Sequence, residues 1–507
     1  MTLTPSPALR LTGITKRFGA LTANDGISFD LAPGEVLALL GENGAGKTTL
    51  MNILFGHYVA DAGTVEVFGR RLPPGDPRTA LAAGVGMVHQ HFTLAENLSV
   101  LDNIALGTQS LLSPRLDREK ARRRIASIAA DFGLDVNPSA IVASLTVGER
   151  QRVEIIKALY REARILILDE PTAVLTPAES TALFSTLRKL TAGGLAIIFI
   201  SHKLHEVTAA SDRVVVLRGG RLAGERRTSD TNAHELAQLM VGREVQPPVV
   251  AETLRGAPLL VLSKVSTSPR HGVPLDAVTL DLRRAEITGL AGVSGNGQAT
   301  LAALIAGTVS PAAGKFLIAD RPIAEWSPRA ALAKGVGRIP EDRHAVGTIG
   351  DMSVAENVVL ERYRSRRFSN LGFLRAEAIA GFARSVIADY DVKCPGPDAP
   401  IRLLSGGNMQ KLILGRALDG DPAIVLANQP TRGLDVGAVA YVHERLLAAR
   451  QRGAAILLIS EDLDEIFALS DRVAVMSKGR IAGPFPRGTK TAAEIGALMA
   501  GGDAHAA

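Results

Sequence analysis

The chain repeats itself once over almost its whole length. GENGAGKTTLMNILFG at Gly41–Gly56 recurs as GVSGNGQATLAALIAG at Gly292–Gly307, an offset of 292 − 41 = 251 residues. The stretch Glu96–Gly107 is echoed around Ser353–Leu360, Ser144–Leu159 recurs at Leu403–Leu418, and ILILDEPT at Ile165–Thr172 recurs as IVLANQPT at Ile424–Thr431. The last pair is offset by 428 − 169 = 259, so the second copy holds eight extra residues between Glu341 and Leu404. A period of this size is far too long for a solenoid, so each copy must be a domain with its own core. The expected division is residues 1–242, a linker at 243–258 carrying Pro247, Pro248 and Gly256, and residues 259–503.

Within each copy, short apolar runs alternate with helical patterns. Glu35–Leu40, Ile165–Leu168 and Ala196–Ile200 read as buried strands, and Leu183, Leu187 and Leu190 recur at helical spacing over Ala178–Leu190. That alternation predicts an α/β fold with a mostly parallel sheet covered on both faces. Residues 91–160, including the Arg-rich Leu116–Phe132, read as a mostly helical sub-domain. With 46% apolar and 21% charged residues, the chain is neither a disordered tail nor a fibrous repeat. Cys394 is the single cysteine, which excludes an intrachain disulfide, and it reads as an ordinary thiol. The longest apolar runs are strand-sized, far short of the ~20 residues of a spanning helix, and Met1–Leu11 lacks the pattern of a signal peptide. The net charge of +6 is dispersed, with no basic block and few aromatics, so no nucleic acid is expected as a partner.

Gly41-x4-Gly46-Lys47-Thr48 is a complete phosphate-loop pattern between a strand and a helix. Glycines let backbone N–H groups curl around a phosphate, and the helix N-terminus adds a favourable dipole. Gly44, Ala45, Gly46 and Thr48 are expected to supply N–H donors, with Gly41, Glu42, Asn43 and Thr49 completing the cradle. Lys47 reaches the β- and γ-phosphates, and the Thr48 hydroxyl is a ligand for Mg²⁺. The strand Ile165–Leu168 ends in Asp169-Glu170. Asp169 suits Mg²⁺, and Glu170 suits the orientation or deprotonation of an attacking water.

With these motifs, and with LSGGN at Leu404–Asn408, the chain resembles the tandem ATP-binding cassette ATPases over about residues 8–500. The resemblance implies two P-loop domains in tandem, each with a RecA-like parallel-sheet core and a helical sub-domain, and ATP and Mg²⁺ as ligands. It implies that Gln90 is the lid-loop glutamine and a metal contact, that His202 is the switch histidine stabilising the transition state, and that Phe18 stacks on adenine. It further implies that the two cassettes pair within the chain, head to tail, with each ATP between one phosphate loop and the other signature. Ser405, Gly406, Gly407 and Asn408 would then complete the site of the first copy.

Set against that geometry, the losses sort by site. Copy one keeps Lys47, Thr48, Gln90, Asp169, Glu170 and His202, but its own signature departs to Leu145-Thr146-Val147-Gly148-Glu149. Copy two has Gln298 for the lysine, Ala299 for the threonine, Asn428-Gln429 for the acid pair, Glu341 for the lid glutamine, Glu461 for the switch histidine and Pro269 at the Phe18 position. Yet copy two keeps its signature and the Gly433-Leu434-Asp435 turn. One site is therefore expected to be complete and the other broken from both sides. Glu341 and Glu461 would each repel a triphosphate by about 2–3 kcal/mol.

A tandem cassette without a spanning segment passes its closure to another protein. The resemblance favours the energy subunit of a multi-subunit importer over a soluble ATPase acting on ribosomes or DNA, because the latter usually keeps two competent sites and a long charged linker. The implied partners are integral membrane permease subunits and, indirectly, a periplasmic or lipoprotein solute-binding protein. The implied place is the cytoplasmic face of the inner membrane. PTAVLTPAE at Pro171–Glu179, PEDRHAVG at Pro340–Gly347 and NQPTRGLDVGA at Asn428–Ala438 resemble the simple-sugar and nucleoside branch. The first and third of these, with Glu461, lean toward nucleosides. The helical-looking segment His91–Leu106, and its counterpart His344–Leu360, are the expected permease contacts.

Overall fold

The computed structural model describes residues 6–19, 21–89, 92–108, 117–172, 175, 177–201, 203–242, 256–323 and 325–499. The chain divides into two compact units, Met1–Val245 and Gln246–Ala507.

In the first unit, β1 (Leu9–Phe18), β2 (Leu21–Leu31), β4 (Ala62–Val67) and β5 (Arg70–Arg71) form an antiparallel sheet in the order β2-β1-β4-β5. A second sheet has the order β10-β9-β3-β8-β7-β6, from β3 (Val36–Gly41), β6 (Val85–Val88), β7 (Ile165–Asp169), β8 (Ala196–Ile200), β9 (Arg213–Arg218) and β10 (Arg221–Arg227). Its pairings are parallel except at the β10 edge. β3 is buried from Val36 to Leu40, as a strand covered on both faces must be, which is why its sequence is apolar without alternation. Helix α1 (Lys47–Phe55) follows β3, and Leu50 and Met51 of α1 share a core with Leu9, Leu11, Leu39 and Ile167. Further on come α2 (Pro77–Ala82), α3 (Val100–Ala105), α4 (Arg118–Phe132), α5 (Val147–Tyr160), α6 (Pro177–Ala192), α7 (Leu204–Ala210) and α8 (Ala233–Val241). Leu183, Leu187 and Leu190 of α6 are buried, as their spacing predicts.

The second unit repeats this plan. β11 (Pro258–Ser266), β12 (Val278–Arg283), β14 (Ala313–Ile318) and β15 (Arg321–Pro322) form the antiparallel sheet. β13 (Glu286–Ala291), β16 (Val336–Ile339), β19 (Ile424–Asn428), β20 (Ala455–Ser460), β21 (Arg472–Ser477) and β22 (Arg480–Pro486) form the other, ordered β16-β19-β20-β13-β21-β22. The helices are α9 (Gln298–Ile305), α10 (Pro328–Ala333), α11 (Val354–Val359), α12 (Ala376–Asp389), α13 (Gly406–Leu418), α14 (Val436–Gln451), α15 (Leu463–Leu469) and α16 (Ala492–Met499). The hairpin β17 (Ser369–Asn370)–β18 (Phe373–Leu374) stands between α11 and α12.

The eight extra residues are not one insertion. The offset rises from 339 − 88 = 251 at the ends of β6 and β16 to 354 − 100 = 254 at the starts of α3 and α11. It reaches 376 − 118 = 258 at α4 and α12 and 406 − 147 = 259 at α5 and α13. Three residues thus enter the segment holding the wide turn Arg343–Gly347, four enter the segment holding the hairpin, and one enters between the starts of α12 and α13.

Two sequence expectations shift. The helix expected over His91–Leu106 is confined to Val100–Ala105, with Ser99 as its N-cap. β11 begins at Pro258, the residue expected to close the linker, while 243–255 and the C-terminal Gly501–Ala507 lie outside the described residues. Trp326 is buried against Phe316, and its indole donates to the Leu304 carbonyl at 2.7 Å. Cys394 is a half-buried free thiol. Among the described residues, no helix is long and apolar enough to cross a membrane.

Candidate nucleotide sites and their two signature helices

In the first unit the phosphate loop leaves the carboxyl end of β3, with β8 and β9 as its neighbours. This is the edge where open α/β sheets bind ligands. Gly46 caps α1 with φ 95°, and a Cβ there would stand 2.3 Å from the Ala23 carbonyl oxygen, so only glycine fits. Asn24 of β2 donates to the Gly46 carbonyl at 3.1 Å and ties the loop to the antiparallel sheet. The Lys47 ammonium donates to the carbonyls of Gly41 (2.6 Å) and Glu42 (3.0 Å), which holds its charge across the loop. Thr48 is exposed at the helix start. Of the expected N–H donors, Ala45 is engaged internally by the Glu42 carbonyl at 3.0 Å. Phe18 ends β1 half-exposed, edge-on to Tyr58 with ring centroids 5.6 Å apart and with the Lys16 ammonium over its ring at 5.4 Å.

β7 brings Asp169 and Glu170 to the same edge of the sheet. Burial, then the neighbouring Glu170 charge, push the Asp169 carboxyl above its ordinary range, and Lys47 opposes them. Such a carboxylate gains from a bound cation. Glu170 is held at φ 46° by its N–H bond to the Ile200 carbonyl, an unfavourable conformation for a non-glycine residue. Gln429 takes the same conformation at φ 49°, bonded to Ile459, so copy two keeps the turn without the carboxylate. Gln90 and His202 lie outside the described residues.

In the second unit Gln298 takes the place of Lys47. Its amide donates to the Val293 carbonyl at 2.9 Å and accepts from the Asn296 N–H at 3.1 Å. A neutral side chain thus preserves the loop, with Gly297 at φ 111°, and removes its charge. Asn428 is buried where Asp169 stands in copy one. One sequence expectation is corrected here: Glu341 is not a bare negative charge, because Arg432 forms an ion pair with it.

The two signature helices are built alike and charged oppositely. Each carries a buried glutamine, Gln151 or Gln410, whose amide donates to the carbonyl of Pro171 or Pro430, just past the acid-pair position. That bond ties the signature helix to the segment just past β7 in the first unit and β19 in the second. At the start of α5, Glu149 closes a capping box with Thr146, whose N–H and hydroxyl both donate to the carboxylate at 2.8 Å. The backbone bond from Thr146 is the main reason that this carboxyl is held below its usual range. Glu179 of α6 adds a second carboxylate beside Gly148, its Oε1 standing 2.8 Å from where a Cβ would lie.

At the start of α13, both acids are gone. Asn408 replaces Glu149, donating from its amide to the Ser405 hydroxyl at 2.9 Å and accepting from the Lys393 N–H at 2.9 Å. Ala438 lies against Gly407 where Glu179 lies against Gly148. A cation is present instead. Arg343 lies over Gly406 and donates to the carbonyl of Arg432 at 2.7 Å, and among the described residues its Nε has no hydrogen-bond partner. A helix N-terminus with no acid in its first turn and a guanidinium beside it suits an anion, and one blocked by two carboxylates does not. Sequence reasoning saw Glu149 only as a departure from a motif. Glu179, Ala438 and Arg343 were missed, although aligning the copies at offset 259 would have paired Glu179 with Ala438.

The ABC transporter family profile matches residues 24–173 and 275–432, once in each unit. The chain belongs to the ABC transporter family. It is an ABC ATPase with two cassettes in tandem. It is 42% identical over 499 residues to the nucleoside import ATP-binding protein NupA of Lactococcus lactis, covering 98% of each chain. It is 42% identical to the glucose import ATP-binding protein TsgD13 of Haloferax volcanii over 99% of this chain and 97% of the relative. It is also 42% identical to the guanosine import ATP-binding protein NupO of Bacillus subtilis over 97% of each.

Proposed function

We propose that this ABC ATPase is the energy-coupling subunit of an importer for nucleosides. It would act on the cytoplasmic face of the inner membrane with separate permease subunits and a solute-binding protein. What supports this most is the full-length match to import ATP-binding proteins, two of which are named for nucleosides. The glucose relative at the same identity favours a second reading, a monosaccharide importer.

In this reading one ATP site is active, made by the first phosphate loop and the signature of the second unit, Ser405–Asn408. Lys47 and the exposed N-terminus of α13 hold the γ-phosphate, Glu170 orients water, and Phe18 stacks on the base. Gln90 and His202 join the site on the sequence pattern. The residues fit Mg²⁺: the Asp169 carboxylate and the Thr48 hydroxyl are hard oxygen donors. The raised Asp169 carboxyl is one that a cation would relieve. Bound there, Mg²⁺ would neutralise developing phosphate charge. The second site, built from Gln298, Asn428 and the acid-blocked α5, does not hydrolyse ATP.

The test is a mild-detergent pull-down of the tagged chain from native membranes. The expected result is a co-purifying multi-spanning permease whose ATP turnover is stimulated by a nucleoside-loaded binding protein. Stimulation by a sugar alone would favour the second reading. Recovery of ribosomal or DNA-repair proteins without a permease would refute both.

A further inference from the structure

The hairpin β17–β18 is the most exposed apolar feature of the described chain. Leu371 is 91% exposed, Phe373 80% and Leu374 59%. Its two-residue turn, Leu371-Gly372, has φ 49° and 87°. Both central residues are left-handed, a place where Asn-Gly or Asp-Gly is the ordinary choice. Leucine there is disfavoured by its backbone and by its contact with water, so neither folding nor solubility accounts for it.

The flanks are basic. Residues 362–377 hold Arg362, Arg364, Arg366, Arg367 and Arg375 against the single acid Glu377. Arg362 is paired with Asp419. Among the described residues, none of the other four meets a carboxylate: Arg364 lies on the Tyr363 ring and Arg367 on the rings of Phe368 and Phe382. Phe368 is buried, and it and Phe382 belong to the core of the helical sub-domain, which anchors the hairpin base. An apolar tip above uncompensated arginines has the composition of a surface that enters the headgroup region of an anionic bilayer. The corresponding interval of the first copy is four residues shorter.

We propose that the Ser369–Leu374 hairpin docks the second unit on anionic phospholipid, with Leu371, Phe373 and Leu374 inserted and Arg364, Arg366, Arg367 and Arg375 on the headgroups. This deepens the peripheral-membrane reading above and rests on it only for its cellular meaning. The test is flotation of the full chain with phosphatidylcholine vesicles, with and without phosphatidylglycerol, at low and high salt. Wild-type chain should float with phosphatidylglycerol vesicles and detach at high salt. The triple variant Leu371→Ser/Phe373→Ser/Leu374→Ser should bind them about tenfold more weakly. Arg364→Gln/Arg366→Gln/Arg367→Gln should lose the lipid preference and its salt dependence. Leu371, Phe373 and Leu374 are exposed, so thermal melting of the apolar variant should be unchanged, and the arginine variant should lose no more than the ring contacts of Arg364 and Arg367. Wild-type chain that ignores phosphatidylglycerol, or an apolar triple variant that floats as well as wild type, would overturn the proposal. So would an apolar triple variant that keeps its vesicle binding but fails to recover the permease in detergent, because the surface would then belong to a protein partner. Hairpin-dependent vesicle binding by a chain that recovers no permease would uphold the lipid surface and remove the importer reading.

Discussion

Asn408→Glu would give α13 the acid that α5 carries. In the first unit Glu149 reaches back to the Thr146 N–H and hydroxyl at 2.8 Å. The same side chain at 408 can close on Ser405, which already caps α13. The variant loses the bond from the Lys393 N–H, worth about 1 kcal/mol. It gains a capping box of about the same size. Folding stability should therefore change by no more than about 1 kcal/mol. The effect on ATP is different. In the proposed pairing of the two units, a carboxylate about 6 Å from one net negative charge on the terminal phosphate, at an effective dielectric near 20, would be repelled by about 3 kcal/mol. The carboxylate also cancels the favourable helix terminus. KM for ATP should rise about 100-fold, less at high salt, while the melting temperature barely moves. Steady-state ATPase assays paired with thermal melts separate the two effects. The mirror change, Glu149→Asn, should cost stability of about 1 kcal/mol and leave KM alone. If KM for Asn408→Glu stays within about twofold of wild type in a folded protein, α13 does not face the phosphate and the pairing of sites is wrong.

Glu170→Gln should keep ATP binding but lower turnover by about 100-fold or more, measured as single-turnover hydrolysis against nucleotide affinity. Asp169→Asn should lower turnover yet raise the melting temperature of the nucleotide-free chain at neutral pH. Because the folded pKa of Asp169 lies above its unfolded value of 3.8, its contribution to stability is complete below 3.8 and is lost as pH rises through the folded pKa. The gain should accordingly grow with pH, and a pH-independent difference would contradict the assigned cause. In the second unit, Arg472 donates to Glu286 at 2.6 Å and to Asp281 at 3.0 Å, with the Glu286 side chain fully buried. Arg472→Leu should destabilise that unit by about 3–5 kcal/mol in denaturant unfolding, and Arg472→Leu/Glu286→Leu should recover much of the loss.

Local sequence carries the nucleotide loop because its chemistry is local. Gly46, Lys47 and Thr48 are consecutive, and Asp169 and Glu170 end one apolar strand, so pattern and spacing suffice to read them. The repeat carries the architecture for the same reason, since 251- and 259-residue offsets leave room only for whole domains. The charge at the signature helices is decided by contacts between distant segments. Glu179 reaches Gly148 from another helix, Arg343 reaches Gly406 and Arg432 across the second unit, and Arg432, just past the end of β19, pairs with Glu341, just past the end of the neighbouring β16. Electrostatic interaction falls with distance in space rather than along the chain. Glu341 therefore read as a bare repulsive charge until the fold supplied its partner. The hairpin shows the same division. The sequence shows its leucines, phenylalanine and arginines, but whether Leu371 and Phe373 join a core or stand in water is settled only by where the tertiary structure leaves them.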